Sequence, residues 1–429
     1  MRKIKNLIIK SNFIRNVAIM ATGTAGAQAI TILLSPIITR LYGPEAFGIL
    51  GTFTALTRIL MPIAALTFPI AIVLPRSDIE ARALIKLSLK ISCFLALITA
   101  ITFVFLNEHI SAIFNIQEIS SYMYLIPIVI ILAGLVQVSE QWLIRKKSFS
   151  INAKVEFSNA LVLNGGKVGL GLFYPVASIL IILQVIALAL KAWMMIFFIN
   201  KKKDKRQSEV NIAEKLETKN LLKKYKDFPI YRTPQVFLAA STEGLPIILL
   251  SSFFGPAAAG FYSIGRTVLS LPSKIIGEAI GNVFYPRINE AAQNKENVTK
   301  LINKACLGLI ATGAIPFGII ILFGPWIFSI AFGSEWVTAG EYARWIALSS
   351  FSVFTNKPVV RSIPVFNLQR LHLIYTIVSL IGRAIALLIG FLVFNNEIIA
   401  IAFFAITTMF LNIFLHFIVI KRAKKMKFY

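Results

Sequence analysis

The amino-acid sequence predicts an all-α polytopic membrane protein, and three observations carry that prediction. Apolar residues fill 57 % of the 429 positions and charged residues only 15 %, with a mean hydropathy of +0.77. Soluble domains hold about 45–50 % apolar and about 25 % charged residues, because their surface must be clothed in polar groups. The surplus excludes an ordinary soluble enzyme, a disordered chain and a disulfide scaffold. The apolar residues also gather into about twelve continuous runs of helical length, not the alternating ten-residue stretches of a membrane β-barrel. Finally, the segments between the runs alternate between basic and nearly uncharged.

Taken in order, the runs are 17–39, 47–74, 84–106, 122–140, 154–174 and 176–198, then 235–254, 257–285, 303–324, 342–363, 372–393 and 398–420. Each is long enough for a hydrocarbon core of roughly 30 Å at about 1.5 Å per helical residue. The fifth and tenth are the most polar. The first follows a basic stretch but is too long for a cleaved signal segment, and it is read as a retained span.

The formal charge of +25 is placed by this pattern. One set of segments carries Arg2, Lys3, Lys5, Lys10 and Arg15; Arg76 and Arg82; Arg145, Lys146 and Lys147; most of the cations of 200–234; Arg287, Lys295, Lys300 and Lys304; Arg370; and the tail from Lys421. The intervening segments 107–121, 255–263, 325–341 and 394–397 contain no Lys or Arg, and Arg40 is the clear exception to the alternation. Cytoplasmic loops collect Lys and Arg. The expectation is therefore an even number of spans, with both termini cytoplasmic. The same alternation accounts for the basic balance without nucleic acid.

The halves resemble each other. Gly43-Pro44-Glu45-Ala46-Phe47-Gly48 returns as Gly255-Pro256-Ala257-Ala258-Ala259-Gly260, an offset of 212 residues. Ser111 to Asn115 returns as Ser329 to Gly333, and Gly166-Lys167 as Gly382-Arg383. Three matches in order imply a duplicated six-helix unit. Six-span halves share one membrane orientation, so the two bundles are expected to be related by a pseudo-two-fold axis along the membrane normal, with a central cavity. The expected division is a six-helix bundle over 1–199, a basic cytoplasmic linker over 200–234, a second bundle over 235–420 and a basic tail over 421–429.

Ionisable groups at bilayer depth are costly and mark pathways or binding sites. The candidates are Arg58, Lys167, Arg266, Lys274 and Arg383 as a cationic cavity, with Glu156, Glu243 and Glu278 as coupling or gating acids. Lys191 and Glu140, nearer the span ends, are read as snorkelling to the interface. Glu156 and Lys167 stand eleven positions apart and are expected on one helix face. Lys274 and Glu278 are spaced to pair. Glu243-Gly244-Leu245-Pro246 is expected to break the seventh span. The three aspartates, Asp78, Asp204 and Asp227, all lie in polar loops, so the membrane interior is net cationic. It should draw an anion, and Arg matches phosphate bidentately. A carrier of organic cations would require the opposite sign.

Cys93 and Cys306 fall in apolar spans, and His109, His372 and His416 are scattered, so neither a disulfide nor a metal site is expected. No phosphate-binding loop, zinc motif or nucleophilic triad is present, and no enzymatic role is expected.

Residues 34–50 (LSPIITRLYGPEAFGIL), residues 140–148 (EQWLIRKKS) and the GPAAAGFYS turn at 255–263 resemble bacterial polysaccharide biosynthesis proteins of the O-antigen flippase type. That group lies in the multidrug/oligosaccharidyl-lipid/polysaccharide exporter superfamily, and the resemblance covers essentially the whole chain. It implies translocation of an undecaprenyl-diphosphate-linked oligosaccharide across the bacterial inner membrane by alternating access, with coupling to a proton or sodium gradient. It also implies partnership with a polymerase and other polysaccharide-assembly proteins, and no bound cofactor. A multidrug cation antiporter of the same fold is the alternative, opposed by the absence of intramembrane aspartate. A membrane glycosyltransferase or polymerase is a second alternative, opposed by the lack of acidic catalytic motifs and of large loops.

Overall fold

The structure, a computed structural model, describes residues 12–201, 218–294, 296–366 and 368–425. All regular elements among them are helical. The long ones are α1 (Asn12–Leu60), α2 (Asp78–Ile113), α3 (Ile126–Arg145), α4 (Phe149–Gly171), α5 (Ala177–Lys201) and α6 (Thr233–Phe254). They are followed by α7 (Pro256–Gln293), α8 (Val298–Phe332), α9 (Val337–Thr355), α10 (Gln369–Leu392) and α11 (Glu397–Lys425). α1 is kinked at Gly43 (φ 68°, ψ 172°) and supplies two spans, so the expected set of about twelve is present.

Eight of the helices, α1 counted once with its kink, are apolar enough by length and composition alone to cross a membrane. Those that fall short, α4, α7 and α9, are diluted by charged residues such as Lys154, Glu156 and Lys167 in α4 or Glu341 and Arg344 in α9. The second span ends earlier than its apolar run suggests. Pro62 starts a 3-10 turn at Met61–Ile63, and Leu66 and Thr67 then take left-handed φ values of 47° and 54°, which no helix continues through. The chain resumes in α2 under a Ser77 cap, whose side chain accepts from the Ile79 amide at 3.1 Å, with Asp78 and Glu80 in the first turn facing the positive helix end.

The repeats seen in the sequence carry matching backbone. Gly255, with φ 85° and ψ 173°, repeats the geometry of Gly43, and each precedes a proline at the first position of a new helical arm. Asn115 (φ 48°) and Gly333 (φ 116°) each turn the chain out of a long helix into a 3-10 turn, at Gln117–Ile119 and Ser334–Trp336.

The chain divides into two compact units, one of Met1–Tyr42 and Phe53–Ala240, the other of Gly43–Thr52 and Ser241–Tyr429. In the first unit, packing runs opposite to that of a soluble protein. α2 buries the small residues Ser88, Ser92 and Ala96 and exposes Phe94, Leu97, Ile101 and Val104. Lipid offers no hydrophobic drive between helices, so close van der Waals contact through small residues takes its place. A Cβ on Gly134 of α3 would lie 2.2 Å from Ser92 Oγ, and one on Gly23 of α1 would lie 2.4 Å from Ala153 Cβ of α4.

The end of the basic segment packs on this unit. Leu221 and Tyr225 are buried with Phe68 and Leu84, the Tyr225 hydroxyl donates to Glu80 at 3.0 Å, and Thr67 and Thr233 share a hydroxyl bond of 3.1 Å. Lys224 also pairs with Glu80. Arg145, at the end of α3, donates to Asp78 Oδ1 at 3.0 Å and to the carbonyls of Ile72, Pro75 and Arg76. One guanidinium thus satisfies the irregular turn before α2.

The second unit has an aromatic core in which Trp336, Tyr342, Phe317, Phe328 and Phe354 are fully buried. Phe47, from the kinked start of the second span, meets Trp336 edge-on at 5.5 Å, and Phe261 of α7 meets the same ring at 6.0 Å. The segment 43–52 is seated here by its glycines. The carbonyl of Pro256 occupies the space of a Gly48 Cβ at 1.7 Å, and the carbonyl of Pro44 that of a Gly260 Cβ at 2.1 Å. The two Gly-Pro-x-x-x-Gly repeats therefore cross backbone to backbone.

Candidate functional site

The charged cluster of the second unit is built from four helices. Glu243 stands on α6, Tyr262 and Arg266 one turn apart on α7, Tyr375 and Arg383 two turns apart on α10, and Phe404 on α11. Arg266 Nη2 lies 2.9 Å from Glu243 Oε2, and Nη1 donates to the Glu243 carbonyl. Helix α6 does not break as its Gly244–Pro246 sequence suggests. It runs through Pro246, which cannot donate to the carbonyl of Thr242, and the next carbonyl, that of Glu243, is met by the Arg266 guanidinium. The proline thus marks a loosened helical turn whose exposed carbonyl takes an arginine.

Arg383 is the second cation of this cluster. Tyr375, Tyr262, Glu243 and Arg266 all lie within its electrostatic reach, and its Cζ sits 5.9 Å from the Phe404 ring centre. Its Nε is buried and makes no hydrogen bond among the described residues. A guanidinium presents five N–H donors in a rigid fork, and a buried donor without an acceptor is costly. Two arginines against one carboxylate leave the cluster net positive, and the Glu243 side chain is 69 % exposed while Arg266 is 29 % exposed. The cluster can accept an anion without first removing a protein partner from Arg383 Nε. Lys274 and Glu278 lie farther along α7, and their side chains fall outside the described ones.

Arg58 and Lys167 belong to the first unit. Lys167 is buried at 9 % exposure, none of the described ion pairs includes it, and its carbonyl accepts the Tyr42 hydroxyl at 2.9 Å. Arg58 is exposed near the end of α1 and has an interaction partner. Glu156 does not join Lys167. Eleven residues separate them by about 16 Å along the helix, so a shared face does not bring their charges together. Glu156 instead meets Lys191 of α5 at 2.6 Å, and Glu140 of α3 meets the same ammonium at 2.8 Å. Lys191 and Glu140 are therefore ion-paired inside the bundle, not snorkelling apart. The two acids around one base carry a net negative charge beside a 210 Å³ cavity lined by Thr24, Asn152 and Glu156, and Asn152 Oδ1 is buried there without a donor among the described residues. Sequence spacing did not reveal this triad, because its members sit on three helices. Among the described residues no His, Cys, Asp and Glu cluster suits a metal.

A family model described as polysaccharide biosynthesis protein matches residues 37–341. Among curated proteins nothing matches the chain. Solved structures of the same fold include an inward-facing multidrug resistance MATE family transporter of the MOP superfamily, 14 % identical, covering 95 % of this chain and 99 % of that one, with a TM-score of 0.72. The lipid II flippase MurJ in an inward closed conformation is 15 % identical over 95 % of this chain and 89 % of that one, with a TM-score of 0.74. A point mutant of the Vibrio cholerae MATE transporter VcmN is 12 % identical over 97 % of each chain, with a TM-score of 0.57. The fold is that of these transporters, and the chain is a multi-pass membrane protein.

Proposed function

The chain belongs to the polysaccharide biosynthesis protein family, and from that premise we propose that it flips an undecaprenyl-diphosphate-linked oligosaccharide from the cytoplasmic to the periplasmic leaflet of the bacterial inner membrane. The product feeds O-antigen or another surface polysaccharide, in company with a polymerase and other assembly proteins. It makes and breaks no bond in its substrate and needs no cofactor. The observation that carries the reading is the unpaired, buried Nε of Arg383 beside Arg266, in a cluster with surplus positive charge. A diphosphate leaving water loses strong hydration, and arginine forks replace it in bidentate geometry. Lys274 adds positive charge on the same unit, and Arg58 and Lys167 make the interior of the first unit cationic in its own right. The polyprenyl tail stays in lipid throughout.

Alternating access needs a driving asymmetry, and a proton or sodium gradient supplies it through the acids. Glu156, sharing Lys191 with Glu140, holds a negative site that a cation can neutralise. Glu243 competes with the substrate for Arg266, so its protonation would free that arginine to bind the diphosphate and its ionisation would recapture it. Glu278 extends the acidic set on α7.

The decisive test is transport by the purified protein. Proteoliposomes carrying a fluorescent undecaprenyl-diphosphate oligosaccharide should show protein-dependent loss of quenching by a membrane-impermeant reagent, and deletion of the gene should abolish the surface polysaccharide. Export of organic cations by the same liposomes, with the lipid-linked sugar unmoved, would replace this reading by a multidrug antiporter. Appearance of longer glycans would replace it by a polymerase.

Orientation is tested separately. Single cysteines at Gln117 and Thr338 should be labelled by an impermeant maleimide from the periplasm, whereas positions in 200–234 should react only after permeabilisation. The reverse pattern would invert the proposed topology.

A further inference from the structure

The first unit carries a second, amphiphilic groove, distinct from the cavity beside the Lys191 triad. At its basic end, a groove of about 690 Å³ is lined by α2, α3 and α5, with Ile151 of α4 at its edge. Its walls are mostly aliphatic, with Leu89 from α2, Val138 from α3 and Ile196 from α5, interrupted by Ser139, Ser148 and Asn200. Its rim is different. Trp142 lies between two cations, with Arg82 Cζ 6.0 Å and Lys146 Nζ 5.0 Å from its ring. Asp78 is shared by Arg145 and Lys146, and Arg82 brings a third cation to the rim. An adjoining groove between α4 and α5 is likewise edged by Lys154 and Lys201. Along α2, Lys86 and Lys90 continue the Arg82 row at four-residue steps and are exposed. The uncharged stretch of α2 begins only after Lys90, so this row stands where the helix leaves the hydrocarbon.

We propose that this groove binds an anionic phospholipid, with the phosphate held by Arg82 and Lys146 at the rim and an acyl chain lying along the aliphatic walls. Charge complementarity selects the occupant. A zwitterionic lipid would bring a cation against Arg82 and Lys146 and gain little. Trp142 suits the boundary itself, with an apolar ring and one N–H donor. A lipid seated in the groove also touches α2, α3 and α5 at once, so occupancy should stiffen the first unit. This assignment does not depend on which substrate the second unit carries.

The experiment is native mass spectrometry of the full-length protein released from detergent, titrated with phosphatidylglycerol and, in parallel, phosphatidylcholine. Wild-type protein should retain phosphatidylglycerol in preference to phosphatidylcholine. The Arg82→Gln/Lys146→Gln pair should weaken phosphatidylglycerol retention about tenfold to thirtyfold and leave phosphatidylcholine unchanged, since each cation at a membrane surface strengthens attraction to anionic lipid roughly fivefold. Ile196→Trp fills the groove from its lipid-facing wall with every charge kept, and should reduce retention as strongly. Lys421→Gln, in the basic tail of the second unit and not among the groove's lining residues, should change nothing. Equal retention in the wild type and both groove variants would overturn the proposal. So would equal loss of both lipids in the charge variant, or displacement of phosphatidylglycerol by stoichiometric undecaprenyl phosphate. The last result would make the groove a station for the carrier lipid.

Discussion

Replacing Arg383 by alanine is expected to cut translocation about 10- to 100-fold while leaving the protein folded and present at normal levels. A charge-assisted hydrogen bond is worth about 1.5–3 kcal/mol, and about 1.4 kcal/mol is a factor of ten. Among the described residues Arg383 Nε makes no hydrogen bond, so truncation removes a donor that the substrate needs and the described fold leaves unused. Arg383→Lys should recover part of the transport, keeping the charge but losing the fork. Arg266→Ala should behave differently. It strands Glu243 and the loosened turn at Pro246, so it should lower both transport and thermal stability. Flipping rates in liposomes and melting temperatures of the three variants check this. Normal flipping by the Arg383→Ala variant would remove the anion site from the mechanism.

The membrane character, the spans and the duplicated turns were legible in the sequence because each has a one-dimensional signature. Apolar runs report on the hydrocarbon core, Lys and Arg report on the loops, and Gly43-Pro44 and Gly255-Pro256 announce the backbone that glycine and proline permit. The break after Leu60 was hidden because the residues from Met61 to Leu74 are as apolar as the helix before them, and only the φ values of Leu66 and Thr67 reveal it. At the sites, identity was legible and partnership was not. Glu156 and Lys167 share a face but not a neighbourhood, and Glu156 finds Lys191 on another helix, 35 positions away in sequence. The same holds for Arg145, whose place in a recognisable motif says nothing of the four backbone and side-chain acceptors it gathers. Side-chain pairing across helices depends on rotation and depth, which no local pattern encodes.

Substituting valine at Gly48 or Gly260 is expected to be the most damaging change to the second unit. A Cβ at Gly48 would lie 1.7 Å from the Pro256 carbonyl oxygen, and one at Gly260 would lie 2.1 Å from that of Pro44. Carbon–oxygen contacts settle at about 3.3 Å or more, so the crossing must open by roughly 1.5 Å, and both obstacles are backbone. Opening it lifts Phe47 off Trp336 and with it part of the aromatic core. Overpacking costs about 1–3 kcal/mol where side chains can yield, and here they cannot, so the upper end or beyond is expected. Because the two repeats cross reciprocally, each substitution alone should suffice, and the double variant should cost less than the sum of the two, since one opening relieves both clashes. Gly308→Ala in α8 is the control. No atom lies within 4 Å of its added Cβ, and helix propensity should make it neutral or slightly stabilising. Thermal melts in detergent, read alongside surface polysaccharide in cells, measure both arms. Gly48→Val and Gly260→Val variants that melt and function like Gly308→Ala would show that the crossing is looser than the backbone contacts require.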